Sequence, residues 1–250
     1  MIHAFADDSV MQEIVVCAAM ICDEAQVADA EAVLAKAKAS VGVEPSVALH
    51  CRELFSGGAR RGTAWERVPR PAIDHLVEKL CRDLQRVQER PVVAPIRQRD
   101  VPDQHMDPEG PMQRLHVKGI ASFTYHAVIV NLHDRFRHQG FRLWIDPDKT
   151  MIPWGSGRRR ADTTRRIYAD VSAGSESPLI EPIVEYEPKP ALLQIADLYA
   201  YVTGRGLSAG EGGRQNAWFR DRLIELNPEL MRFEWAKDSK WEDIRRDVPK

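Results

Sequence analysis

Apolar residues at the start of the chain come in short, nearly unbroken runs. "IHAFADD" (2–8) reads as a strand ending in two acids, and "EIVVCAAMIC" (13–22) as a buried strand rich in Val, Ile and Cys. The "SVMQ" between them is short enough for a hairpin. The period then changes. "DEAQVADAEAVLAKAKAS" (23–40) predicts an Ala-rich helix opened by Asp23 as N-cap, and "SVALH" (46–50) predicts a third strand ending at His50. "SGGARRGTAWERVPRP" (56–71) reads as a Gly/Arg-rich loop. After it, Ile73, Leu76, Val77, Leu80, Leu84 and Val87 form one stripe at helical spacing within 72–88.

Later strands are separated by helices. "PVVAPIRQ" (91–98) predicts a strand, 101–111 a polar loop, and 112–140 a long helix stopped by Gly140. "FRLWIDPDKT" (141–150) is a strand entering an acidic turn, and 157–174 a basic loop feeding a helix. In "LIEPIVEYEP" (179–188) Pro182 cannot donate to a ladder, which predicts an edge strand. "LLQIADLYAYV" (192–202) is a greasy helix with one charge, Asp197. The expected architecture is α/β: a mixed β-sheet, antiparallel meander plus parallel strands, flanked by helices. Residues 1–209 form the main domain and 210–250 a C-terminal helical extension.

Composition narrows the function classes. A net charge of -2 gives no global attraction to nucleic acid or membrane, so phosphate binding must come from local clusters. The longest apolar run, "IVVCAAMIC", is too short to span a bilayer, and no secretory leader is evident. Cys17, Cys22, Cys51 and Cys81 form no CxxC pair, which suits reduced, buried thiols in a cytoplasmic protein. A zinc site would require His50 and Cys51 to recruit distant partners.

The acids are placed tellingly. Asp7 and Asp8 end the first strand; Asp146 and Asp148 follow "FRLWI". Gln194, Asp197 and Tyr201 stand at i, i+3 and i+7, one narrow polar stripe on an otherwise apolar helix. Strand ends on a common sheet edge are where α/β folds build sites. If Asp7, Asp146 and Asp197 converge, their repulsion would be relieved by Mg²⁺ or Mn²⁺, which prefer hard oxygen ligands. Carboxylates holding two such ions are a standard device for phosphodiester hydrolysis. Each feature has a plainer reading too: a wet helix face for Asp197, a strand-ending turn for Asp7 and Asp8, and an Asp-Pro-Asp turn for Asp146.

A first strand ending "FADDS", the "LHCREL" segment, the strand-end Asp146 and the late "LQIADLYAYV" together resemble the DUF3800 family, related to the RNase H-like superfamily. The resemblance runs from Ile2 to Val202, and its most specific piece is Gln194-x-x-Asp197. It implies an RNase H-like fold, Asp7 as first-strand metal ligand with Asp8 in the place of the family's Glu, and Asp197 as the closing ligand. It matches His50 and Glu53 to a His-x-x-acid segment and Asp146 to the strand-end acid. Val10 stands where the family shows glycine. The family's Ser-Lys before the Gln helix is missing, with Lys189 the nearest basic group.

Arg158, Arg159, Arg160, Arg165 and Arg166 bring five guanidiniums within nine residues, suited to phosphate oxygens or to a solvated basic face. Trp154 offers a ring to stack on a base or to anchor the loop, whereas Trp235 and Trp241 read as packing residues. The expected function is a divalent-metal-dependent nuclease acting on DNA or RNA. In it, Asp7, Asp146 and Asp197 hold the metal, Asp8, His50 and Glu53 complete the catalytic set, and the arginines with Gln194 bind substrate. The alternative is a catalytically degenerate nucleic-acid- or protein-binding module of a defence or mobile-element system.

Overall fold

The computed structural model describes residues 1–11, 14–97, 116–136, 138–146, 183, 186–208 and 214–231. Two long strands, β1 (Ile2–Met11) and β2 (Ile14–Asp23), pair antiparallel over their full length, with Asp7 opposite Ala18. β2 is buried on both faces from Ile14 to Cys22, which is why its sequence is continuously apolar rather than alternating. β3 (Glu89–Arg97) pairs antiparallel with β2, and β4 (Phe141–Ile145) pairs parallel with β1. The two-residue β5 (Glu229–Leu230) lies parallel to β3.

The sheet order is β4-β1-β2-β3-β5, a mixed five-stranded sheet flanked by helices and consistent with an RNase H-like arrangement. Ile183 makes one parallel bridge to Trp144 at the β4 edge; most of the expected 179–188 strand lies outside the described residues.

Pleating divides β1 between two cores. Ala4 and Ala6 face helix α5 (His116–Phe136), packing with Tyr125, Val128, Ile129 and Leu132. Phe5 faces the opposite layer, made by α1 (Gln26–Ser40), α4 (Arg70–Asp83), α6 (Leu193–Leu207) and α7 (Arg214–Leu226). Residues 214–231, read from sequence as part of an extension, place Phe219, Leu223, Leu226 and Leu230 in that same core.

Helix α4 buries Ile73, Leu76, Val77 and Leu80, as its stripe predicts, and ends in a 3-10 turn at Leu84–Arg86. α1 begins at Gln26, and Asp23 does cap it. The Gln26 N–H donates to Asp23 Oδ1 (2.8 Å) while the Asp23 N–H donates to Gln26 Oε1 (3.0 Å), a reciprocal capping box. α5 stops where Gly140, at φ 70°, donates its N–H to Phe136.

Two expectations are corrected. Residues 46–50 are not a strand; the third strand of the meander is β3. Several backbone groups of 45–51 are held by distant side chains instead of a ladder. The buried Lys38 ammonium donates to the carbonyls of Pro45 (3.1 Å) and Val47 (2.6 Å), and Trp65 Nε1 donates to Ala48 (2.9 Å). The Leu49 N–H donates to Gln194 Oε1 (2.7 Å). Nor is 56–71 a featureless loop. α2 (Cys51–Phe55) leads through Ser56 into the one-turn α3 (Gly57–Arg60), whose Ala59 N–H is capped by Ser56 Oγ, and the fully buried Trp65 anchors the rest.

Candidate metal centre

Three elements carry the acids. β1 and β4 run parallel in register from Ile2/Phe141 to Ala6/Ile145, so the next positions on the two chains are Asp7 and Asp146. The Asp146 N–H donates to Ala6 (3.1 Å), which keeps the two chains together one step beyond the strand. Tyr125 Oη donates to the Asp146 carbonyl (3.3 Å) from the α5 side. The third carrier is α6, which lies across β1 and β2 and presents Asp197 to the sheet edge.

Close approach of α6 depends on Gly204. A Cβ there would stand 2.9 Å from Met11 Cγ and 3.3 Å from Met11 Cβ.

These elements enclose a cleft of about 660 Å³, with Asp7, Asp146, Asp197, Lys189, His50 and Glu53 on its walls. Asp7 is 6 % exposed, and its Oδ1 accepts the N–H of Asp8 (2.8 Å). Burial, followed by the charges of Asp197, Asp146 and Asp8, holds the Asp7 carboxyl well above the usual range, with Lys189 pulling the other way. Burial likewise raises Asp197. Opposing it are the Cys51 N–H, donated to Asp197 Oδ2 at 3.0 Å, and the charges of His50 and Lys189.

Lys189 forms an ion pair with Asp146 inside the cleft. Burial works against its charge, but the bond and charge of Asp146, with the charges of Asp7 and Asp197, outweigh burial and raise its pKa.

The structure thus brings all six acid and histidine candidates to one cleft, with different orientations. Asp8 follows Asp7 on β1, so the pleat turns its carboxyl toward the α5 layer, where its charge bears on Tyr125 and Cys17. His50 is exposed and Glu53 half-buried, both at the start of α2. Among the described residues, no group of three His, Cys, Asp or Glu side chains is set ready around a common metal position.

Gln194 is corrected: it does not line the cleft. Its amide oxygen accepts from Lys38 Nζ (2.8 Å) and the Leu49 N–H (2.7 Å), so it is a brace for the 45–51 segment rather than a substrate contact. Arg158, Arg159, Arg160, Arg165 and Arg166, with Trp154, Trp235 and Trp241, lie outside the described residues.

Sequence reasoning missed Arg52, Ser9 and Ser56 on the cleft wall, and the buried Lys38 behind it. Lys38 did carry a signal. It stands four residues after Leu34 on the inward face of α1, a lysine where the stripe calls for an apolar residue.

Among the described residues, no helix is long and apolar enough to cross a membrane. The chain matches no family model and no curated protein.

Proposed function

We propose that the protein is a divalent-metal-dependent nuclease, a phosphodiester hydrolase acting on nucleic acid through the Asp7–Asp146–Asp197 cleft, and a relative of the DUF3800 family it resembles. The observation that carries this reading is Asp7. Its carboxyl sits on β1, an interior strand of the sheet, raised first by burial and then by the charges of Asp197 on α6 and Asp146 after β4, and it opens onto a cleft. Carboxylates arranged to repel one another without a structural need are costly, and a hard cation is the ligand that makes the arrangement favourable.

The donor set fits Mg²⁺ or Mn²⁺: oxygen ligands, with Asp7 and Asp197 facing the cleft and Asp146 beside them. When bound, the ion would supply an activated water and a counter-charge for the leaving oxygen. The chain's own groups do the rest. Asp197 keeps α2 against α6 through the Cys51 N–H, so His50 and Glu53 stay at the cleft, where either can take or return a proton. Arg52 on the wall, with the arginines of 158–166, would hold phosphate oxygens.

The test is Asp197→Asn, assayed on single- and double-stranded DNA and RNA with Mn²⁺. Cleavage by the parent that falls at least 100-fold in the variant is expected. No cleavage of any substrate by the parent, or equal cleavage by both, overturns the reading.

A second reading, a non-cutting nucleic-acid- or protein-binding module, is favoured by one observation: Lys189 already neutralises Asp146. Thermal unfolding separates the two. Stabilisation by Mn²⁺ that EDTA reverses and Asp7→Ala abolishes supports the nuclease, and no metal response supports the binding module.

A further inference from the structure

Deepening the nuclease reading, on which this rests, we infer that Tyr201 is a substrate-binding residue. Its hydroxyl, with Ser9, Ser56 and Arg52, forms a subsite for a phosphate of the substrate strand next to the one held at the acids. Tyr201 lines the cleft yet is only 9 % exposed, and among the described residues its hydroxyl has no hydrogen-bond partner. A buried phenolic oxygen ordinarily finds one, so an open one aimed into a cleft points to a ligand. The ring itself is fixed. Phe55 stacks on it, with centroids 5.1 Å apart and 13° between planes, and Phe219 meets it edge-on at 5.6 Å. Those contacts hold the ring and leave its oxygen unused.

Three elements run side by side past this point. Asp197, Tyr201 and Gly204 stand at i, i+4 and i+7 on one face of α6. Asp197 meets the start of α2 at the Cys51 N–H, Tyr201 meets its end at Phe55, and Gly204 packs on Met11. On β1, Asp7 and Met11 share the side that faces α6, and Ser9 stands between them. Tyr201 and Ser9 are therefore each one step beyond the acids, about 6–7 Å by the rise of four helical or two strand residues. Ser56 directly follows Phe55, and Arg52 is four residues before it. All four side chains line the cleft.

What they offer is donors. Ser56 Oγ accepts the Ala59 N–H and keeps its own proton to give, and Arg52 makes no ion pair among the described residues. Burial pushes the Tyr201 hydroxyl up to about 12, so at neutral pH it holds its proton and carries no charge. Phosphate oxygens only accept, which matches a set of hydroxyls and a guanidinium. A strand passing carboxylates is repelled by them, and neutral hydroxyls can hold it close by without competing for the cation.

The experiment is Tyr201→Phe in the full-length protein, which removes the hydroxyl and keeps the ring stack, with circular dichroism to show that the fold is unchanged. Cleavage of an oligonucleotide with Mn²⁺ is compared for the all-phosphate strand and for strands carrying an uncharged methylphosphonate on one or the other side of the cut. In the parent, one of the two replacements should lower kcat/KM about 10-fold or more, the size of a hydrogen bond to a charged group. Tyr201→Phe should lose about as much on the all-phosphate strand, mainly as a rise in KM, and be several-fold less sensitive than the parent to that replacement. Parent kinetics in Tyr201→Phe, equal sensitivity of both proteins, or a parent indifferent to both replacements overturns the inference while the nuclease reading stands. A parent that cuts no nucleic acid overturns the nuclease reading, and this inference with it.

Discussion

At the scale of single residues, the site is set by a carboxylate and a glycine on the same helix. Asp197 accepts the Cys51 N–H at Oδ2, bonds the Cys51 side chain as well, and lines the cleft. Asn at this position retains an oxygen for Cys51 while losing the charge, so Asp197→Asn reads out the chemistry without dismantling α2. Gly204 sets how near that helix can lie. The 2.9 Å approach to Met11 Cγ leaves no room for a methyl group, and Met11 must move at its Cβ and Cγ rather than at its tip. Gly204→Ala is expected to cost about 1–3 kcal/mol by overpacking, measured by urea unfolding. Met11→Ala in the same chain should recover most of it. An unchanged midpoint in Gly204→Ala would show that α6 has slack. Nothing in the sequence distinguishes Gly204 from a residue merely tolerated in a helix; the reason for it lies on another element, Met11 of β1.

At the scale of elements, β1, β2, α4 and α6 were legible because their partners are generic. A continuous apolar run suits any buried strand, and a 3.6-residue stripe suits any layered helix. Asp146, just past the end of β4, was legible for the same reason, since strand ends gather at one sheet edge. Asp7 and Asp8, expected to end the first strand, lie inside β1, which runs on paired with β2 to Met11.

The 45–51 segment was not legible, because its partners are individual and distant: Lys38 behind it, Trp65 ahead, and Gln194 and Asp197 on α6. Val47 and Leu49 mimic strand alternation, yet no neighbouring strand is available to them. Gln194 was misread for a related reason: sharing a stripe with Asp197 fixes its face of the helix, not what lies opposite. Lys38 is the keystone of this segment, with three acceptors for its three protons. Burial lowers its pKa, yet the three acceptors suit the charged form. Lys38→Met strips those acceptors of their donor and should destabilise the protein by about 1–3 kcal/mol or more by chemical denaturation. The loss should be larger than for Lys36→Met, a lysine whose α1 position is exposed. Equal effects would mean that water replaces the ammonium freely.

At the scale of the whole molecule, the acid cleft makes stability depend on pH in a direction opposite to that of ordinary ion-paired carboxylates. Asp7 and Asp197 have pKa values raised above 3.8 in the folded protein, so folding takes up protons in the window between the unfolded value and the raised one. Their contribution is most favourable below that window and is lost as pH rises through the folded pKa. Metal-free protein should therefore lose stability relative to Asp7→Asn as the pH rises from the ordinary carboxylate range through the raised folded value. Thermal unfolding of both across that range checks it, and parallel curves would refute it. Saturating Mn²⁺ should reverse the slope, since binding to carboxylates releases the protons that folding collected.

The position of β5 bears on how the chain is made as well as on what it does. Glu229 and Leu230 pair with β3, Met231 donates its N–H to Val93 (2.8 Å), and Phe219 and Leu223 fill the core beside α6. During synthesis every other strand of the sheet, and the acid-bearing helix, emerges before these residues do. For that interval the nascent chain carries an unpaired β3 edge and a bare apolar flank, the surfaces that recruit other chains. A shortened chain ending before α7 would keep Asp7, Asp146 and Asp197 and still be sticky. The late residues cover that edge and flank, and the scaffold under the cleft is complete only with them.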